Sequence, residues 1–311
     1  MAARAAGLLT GMAADQVFAD PQRHHPVAWF GSAAQALEKL SYRDHRVAGA
    51  LFTVALLSPL AAAGAVFEQA TRQRPILKAF GTALTTWTVL GVTRLAAEGQ
   101  QMAELLAADD LPAARRQLGN LCGRDADQLD EPELARATIE SMAENTADAG
   151  VASIFWGAIG GVPGMLVHRG ANTLDAMIGH HNERYENFGA FAAHLDDTLD
   201  LIPARLTALL AGLCAREPSA WRMAWRDHGN HPSPNGGWCE AAWAGALGVQ
   251  LGGKNVYYGG RVEQRGLLGD GPRPRPDHVQ AAAGLVTKVS WTAVGSAAVC
   301  LLVGATLRGP R

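Results

Sequence analysis

The chain has 311 residues and a net charge of −2, which implies no general electrostatic affinity for nucleic acid. Charged residues make up 18% and hydrophobic residues 48%, while mean hydropathy is near zero. That charge content is below the roughly 25% usual in soluble chains, yet a bundle of membrane helices alone would be more apolar, so membrane segments mixed with substantial polar parts are expected. The cysteines, Cys122, Cys214, Cys239 and Cys300, form no C-x-x-C pair. A disulfide framework or zinc site is not indicated.

The first element, "AAGLLTGMAADQVF", is apolar but short. Arg4 before it gives a weak likeness to a signal sequence, and an uncleaved first helix is the preferred reading. In "FADPQRHHPVAWFG", Asp20, His24, His25 and Pro26 follow. The histidines could ligate a metal or carry protons, but no regular spacing ties them to the other histidines.

Three uncharged runs approach the length of about 20 residues that crosses a bilayer: Val47–Phe67 with 21, Ala149–Val167 with 19 and Val289–Leu307 with 19. In a soluble all-α protein such runs would be buried helices, but their length favours the membrane. Ala79–Thr93, with 15, spans only if its flanks contribute. Leu201–Ala215 carries Arg205, which at mid-bilayer costs at least about 2.5 kcal/mol, so this segment either tucks against protein or lies at the interface. Basic residues flank both ends of the first span, so loop charge does not set orientation.

The polar remainder falls at 20–46, 94–148, 168–200 and 216–288. "MAELLAADDLPAARRQLGNLCG" and "DEPELARATIESMAE" read as amphipathic helices, the second begun by Asp130 with Pro132 and Glu133 in its first turn. No strand alternation of any length is visible, and neither an internal repeat nor a domain linker.

Three groups of residues carry chemistry. In "RATIESMAENTADAG", Arg136, Glu140, Glu144 and Asp148 recur every four residues, along one helix face, just before an apolar run. A solvated face with an Arg136–Glu140 pair is the commoner origin of such a stripe. Asn145 beside Glu144 suits the alternative, because Mg²⁺ takes carboxylate and amide oxygens. In "ANTLDAMIGHHNERYENFG" and "HLDDTLDLIPARL", Asn172 and Asp175 are three apart, Asp196 and Asp200 four apart, and Asp197 faces a neighbouring side. N-capping or a surface position explains any one of these and strains to explain the set. In "HPSPNGGWCEAAWAGALGVQLGGKN", Ser233 and Asn235 belong to a tight turn whose N–H groups could hold an anion. Gly248–Asn255 nearly matches a P-loop, but Asn255 replaces Ser/Thr and the preceding segment looks helical, so a true Walker motif is rejected. Lys254 remains a candidate phosphate contact, or a plain exposed lysine.

These motifs, with "FADPQRHHPV", "NTLDAMIGH" and "AAHLDDTLDLIPARLTALL", stand in the order seen in the CobD/CbiB family of cobalamin biosynthesis, and the chain resembles it from residue 11 to about 305. The resemblance implies an all-α, polytopic integral membrane protein of the bacterial or archaeal inner membrane. Its amphipathic helices and polar loops would form one shared cavity, in a single 1–311 domain.

The resemblance further implies an adenosylcobinamide-phosphate synthase. That enzyme joins aminopropanol or its O-phosphate to the free propionate of adenosylcobyric acid, consuming ATP with Mg²⁺ and using no prosthetic group. The expected reactive residues are Glu140, Glu144 and Asp148. Asn145, Asn172, Asp196, Arg205, Ser233, Asn235 and Lys254 are expected to contact substrate or ATP, and Glu144, Asp148, Asp175 and Asp197 to hold the metal. Metal ligand and base are not separated by sequence. The sequence departs from the family pattern at Asp200, where Asn is expected, at Ala149, where Gly is usual, and in its short N-terminal span. Two other readings remain: a signalling protein of the same superfamily without ligase activity, and a transporter, for which the "GGVPG" break at Gly160–Gly164 suits an ion path.

Overall fold

The computed structural model describes residues 1–19, 25–257 and 262–307. Asp20 and His24 lie outside the described residues. In chain order the elements are α1 (Ala2–Phe18), α2 (Pro26–Ser41), α3 (Arg46–Ala70), α4 (Pro75–Val89), α5 (Val92–Ala107), α6 (Leu111–Leu118) and α7 (Glu131–Thr146). Then follow a π-helical stretch (Ala147–Ala152), α8 (Ser153–Ile178), α9 (Ala190–Ala215), α10 (Pro218–Asp227), α11 (Gly236–Leu247), β1 (Leu251–Val256), β2 (Val262–Leu268) and α12 (Pro276–Leu307). Among the described residues, five helical stretches are long and apolar enough to cross a membrane: Arg46–Ala70, Pro75–Ala107, Glu131–Ile178, Ala190–Ala215 and Pro276–Leu307. The architecture is that of an all-α polytopic membrane protein. Val66 of α3 is 68% exposed and Ile76 of α4 84% exposed, as side chains solvated by lipid would be.

The residues cluster into two compact units. The first comprises Met1–Gly91, Asp148–Asp200 and Ala293–Arg311, the second Val92–Ala147 and Leu201–Thr292.

In the first unit, α1 packs on α4 through Gly7 and Gly11, one turn apart. A Cβ on either would come within 2.5 Å or less of Thr82 or Thr86. This is the small-residue contact by which helices approach closely in membranes. Helix α8 breaks where the sequence reads "GGVPG". Gly161 adopts φ 67°, open to glycine and strained for others, and Pro163 has no N–H to give. The freed backbone groups find charged partners. Arg4 Nη1 donates to the carbonyls of Ala158 (3.1 Å) and Ile159 (3.3 Å). The Val162 N–H donates to Glu68 Oε1 at 3.4 Å, and Glu68 is paired with Arg4 and Lys78.

Three expectations need correction. First, the polar segment 168–200 is not separate from the apolar runs beside it: α8 runs on to Ile178 and α9 begins at Ala190. Second, "DEPELARATIESMAE" is capped as expected, with Asp130 Oδ1 accepting from the Glu133 N–H at 3.0 Å, but α7 is no surface helix. All ten residues from Leu134 to Ala143 are buried, Arg136 and Glu140 included. The other presumed amphipathic helix is two pieces, broken at Asp109 (φ 58°) and restarted by the Asp110 cap of α6. Third, a strand pair exists: β1 and β2 are antiparallel, Leu251 opposite Leu268 and Val256 opposite Val262, with an irregularity between Gly252 and Lys254. Glycines and an exposed β2 give this hairpin no apolar alternation to read.

Arg205 needs no bilayer-centre position. Its Nη1 donates back to the Leu201 carbonyl at 2.7 Å and to Asn235 Oδ1 at 3.3 Å, and its guanidinium lies 4.9 Å from the Trp238 ring centre. The four cysteines form no disulfide.

Candidate functional site

Two polar clusters stand out, one in each unit. In the second unit, α7 carries Glu140 into the interior, where it is fully buried and held by three donors. Arg124 and Arg136 pair with its two oxygens, and the Gly252 N–H donates to Oε1 at 2.7 Å. Arg136 also donates to Asn255 Oδ1 (2.9 Å) and to the Lys254 carbonyl (3.0 Å). The Arg136–Glu140 pair expected of a solvated face therefore exists, but sealed inside.

One turn further on, Glu144 is 35% exposed, and its Oε1 lies 3.7 Å from His231 Nε2. That nitrogen also lies 3.2 Å from Glu240 Oε1 and 2.6 Å from Arg265 Nη1. Arg265 in turn reaches Glu240 Oε1 at 3.1 Å and the Tyr257 hydroxyl at 3.0 Å. Burial disfavours charge on His231, but the hydrogen bond to Glu240 and the charges of Glu240 and Glu144 overcome it and hold the imidazole above its ordinary pKa. Ser233 faces Nδ1 with its N–H at 3.0 Å and its carbonyl at 3.4 Å, so neutral and protonated rings both have a partner there. Glu240 Oε2 is buried with no hydrogen-bond partner.

Gly236 opens α11 beside this group, and a Cβ there would sit 2.7 Å from Glu144 Oε1. Glu144, Ser233, Asn235 and Arg205 are thus brought to the start of α11. The "SPNGG" turn offers fewer free N–H groups than its sequence suggests, because Ser233 Oγ accepts from Asn235 N (3.2 Å) and Gly236 N (3.1 Å). Asn145 Nδ2 turns back to the Ser141 carbonyl at 2.8 Å. Lys254 stands apart on β1, exposed.

In the first unit, α8 and α9 place His168, Asp196 and Asp200 together. His168 Nε2 lies 2.9 Å from Asp200 Oδ1, both buried. One ligand atom from each of the three lies within 4.8 Å of the others. Asn172 hydrogen-bonds the Asp196 carboxylate, and the charges of Asp200, Asp148 and Asp175 bear on it. His168 Nδ1 and Asp196 Oδ1 are buried without partners. Asp148 sits in the π-helical stretch, where the wider turn takes it out of the four-residue register. Asp197 looks elsewhere, lining a cavity of about 650 Å³ with His180, His181 and His194.

The donor sets differ in what they can hold. Two carboxylates with further acids and an amide nearby fit a hard divalent cation, and the unpartnered Asp196 oxygen is what such an ion would satisfy. In the other cluster the Arg265 guanidinium already lies against His231 and Glu240, so that group is arranged for proton exchange.

Sequence reasoning missed Arg124, His168, His231, Glu240 and Arg265. Glu240 had a signal, as the only charged residue between Pro232 and Gly253. His168 is the first titratable group after the run Ala149–Val167. Arg124 and Arg265 had none.

Fold and clusters together define a multi-pass helical membrane protein that keeps acids and bases inside its helices. The CobD/Cbib protein family matches residues 8–286. The cobalamin biosynthesis protein CobD of Mycobacterium tuberculosis is 48% identical over 278 residues, covering 88% of each chain. That of Geobacter metallireducens is 43% identical over 280 residues (86% of this chain, 87% of the relative). That of Chromobacterium violaceum is 39% identical over 302 residues (94% and 95%). No solved structure matches the chain. The chain belongs to the CobD/CbiB family of cobalamin biosynthesis.

Proposed function

We propose that the protein forms an amide between (R)-1-aminopropan-2-ol, or its O-phosphate, and the free propionate of adenosylcobyric acid, at the bacterial inner membrane, consuming ATP with Mg²⁺. The observation that best supports this is the His168–Asp196–Asp200 cluster. Buried acids within apolar helices require a proton or a cation, and an ATP-dependent reaction brings a divalent one.

A carboxylate is a poor electrophile, so ATP first converts it to an acyl phosphate, and the amine then displaces phosphate. Asp196 and Asp200, with Asn172, would hold Mg²⁺, and Asp148 and Asp175 add carboxylate charge near Asp196. The bound ion would offset charge on the phosphoryl oxygens. His168 keeps Asp200 oriented through the 2.9 Å contact. In the second unit Glu144, partly exposed beside His231, is a base able to take up an ammonium proton, and His231 can share it. Arg205 and Asn235 present donors to the substrate's oxygens. A transporter is less well supported, because the polar groups freed at the α8 break are bonded by Arg4 and Glu68 instead of lining an ion path.

The test is the purified protein in detergent, given adenosylcobyric acid, aminopropanol phosphate and Mg-ATP, with product read by mass. Glu144→Gln and Asp148→Asn are each expected to abolish product while the thermal melt is kept. Normal turnover in both would overturn the roles given to these acids, and no corrinoid-dependent product from the wild type would overturn the reaction.

A further inference from the structure

We infer that the second unit holds a phosphate-class anion in the cavity between the start of α7 and strand β1. This cavity, of about 420 Å³, is lined among others by Arg124, Arg136, Gly252, Gly253, Lys254 and Asn255. Three of these side chains are more than nine-tenths buried: Arg124 at 5%, Arg136 at 6% and Asn255 at 1% exposure. Each keeps one nitrogen with no hydrogen-bond partner: Arg124 Nη1, Arg136 Nε and Asn255 Nδ2. Glu140 pairs with both guanidiniums, Glu133 pairs with Arg136 as well, and Asn255 Oδ1 accepts from Arg136.

Buried polar groups are nearly always paired, because an orphan keeps its desolvation cost uncompensated. Three residues lining one cavity that each carry an unpartnered donor nitrogen favour an occupant made of acceptors. The charge agrees. The wall carries Arg124, Arg136, Lys254 and Arg273 against Asp130 and Glu133, and Glu140 beneath it leaves the cations one in excess. The Lys254 ammonium has no ion partner among the described residues. A metal ion is excluded by this sign. A carboxylate offers two oxygens to three orphan donors and an ammonium, whereas a phosphoryl group offers three or more.

The backbone leaves room as well. Gly252 (φ 82°) and Gly253 (φ 97°) adopt conformations L side chains rarely enter, so no side chain projects from that stretch of wall. The near match to a P-loop thus identified a phosphate contact without the P-loop fold: Lys254 lies on a strand, and the other donors come from Arg124, Arg136 and Asn255.

The site stands without the amide-forming reading, which only names two sources of the anion, a nucleoside triphosphate and a phosphorylated amino alcohol. Full-length protein in detergent would be titrated calorimetrically at low salt with inorganic phosphate, with ATP in EDTA, and with ethanolamine phosphate. Binding of at least one probe is expected. Lys254→Gln, an exposed change that should leave the melt intact, is expected to weaken it about tenfold, and Asn255→Asp at least as much. Tighter binding of ATP than of phosphate would assign a nucleotide, and tighter binding of ethanolamine phosphate the phosphorylated amine. Absence of binding by all three probes, or Lys254→Gln binding as wild type, would overturn the site. The two readings fail separately. Bound probes with no amide product from the wild type would remove the reaction and keep the site. Amide product with binding unchanged in Lys254→Gln would remove the site and keep the reaction.

Discussion

Glu140 and Glu144 are one helical turn apart and face different physics. Glu140 is sealed between Arg124 and Arg136, so Glu140→Gln leaves the buried Arg124 guanidinium without its counter-charge and Arg136 with Glu133 alone. Breaking a buried pair from one side costs about 3–5 kcal/mol, and a clearly lower melting temperature in detergent is expected. Glu144→Gln should melt close to wild type, since its carboxylate is partly solvated and 3.7 Å from His231. Equal melts for the two variants would show that the Glu140 network contributes little. His231 gives a pH dependence of definite sign. Its folded pKa is raised, so its contribution to stability is complete below the unfolded value of about 6.5 and is lost as pH rises through the folded value. A pH series of melts should show wild type losing stability above about pH 6.5 relative to His231→Gln, and parallel curves would contradict the assignment. At this scale the sequence disclosed the acids and hid their partners. Spacing along one helix is visible in a single segment, whereas His231 and Arg265 reach α7 from far away in sequence and Arg124 from an irregular stretch just before it.

The spans were legible because lipid solvation demands a composition that few other environments require, and the runs Val47–Phe67 and Val289–Leu307 lie inside α3 and α12. The hairpin was illegible because β1 is "LGGKNV" and its glycines carry no pattern. Helix α7 was misread because its charges are paired inside the protein, and a buried pair looks in sequence like a solvated one. The α1–α4 contact shows what a pattern search for polar chemistry overlooks: Gly7 and Gly11 matter for the side chain they lack. Gly11→Leu places a Cβ 2.4 Å from Thr86 Cβ, so the helices must separate. Overpacking of this kind typically costs about 1–3 kcal/mol. Gly123→Ala, with nothing within 4 Å, is the control. Limited proteolysis of the detergent-solubilised variants should cut the Gly11→Leu protein sooner, and identical digestion would show that the close approach is dispensable.

Across the whole molecule, order of synthesis acquires a meaning. The ribosome makes Arg4 and Glu68 long before Gly161, and the interrupted span α8 cannot rest in lipid while its broken turn is unbonded. The partners that complete it belong to helices already made. The first helix, too short to count as a span, therefore acts as an internal assembly factor for a segment more than 150 residues downstream. Arg4→Leu should leave each nascent chain with an exposed break, to be read by the cell's membrane proteases. A pulse-chase in the native membrane should show faster decay of that variant, whereas a half-life equal to wild type would mean that α8 inserts unaided.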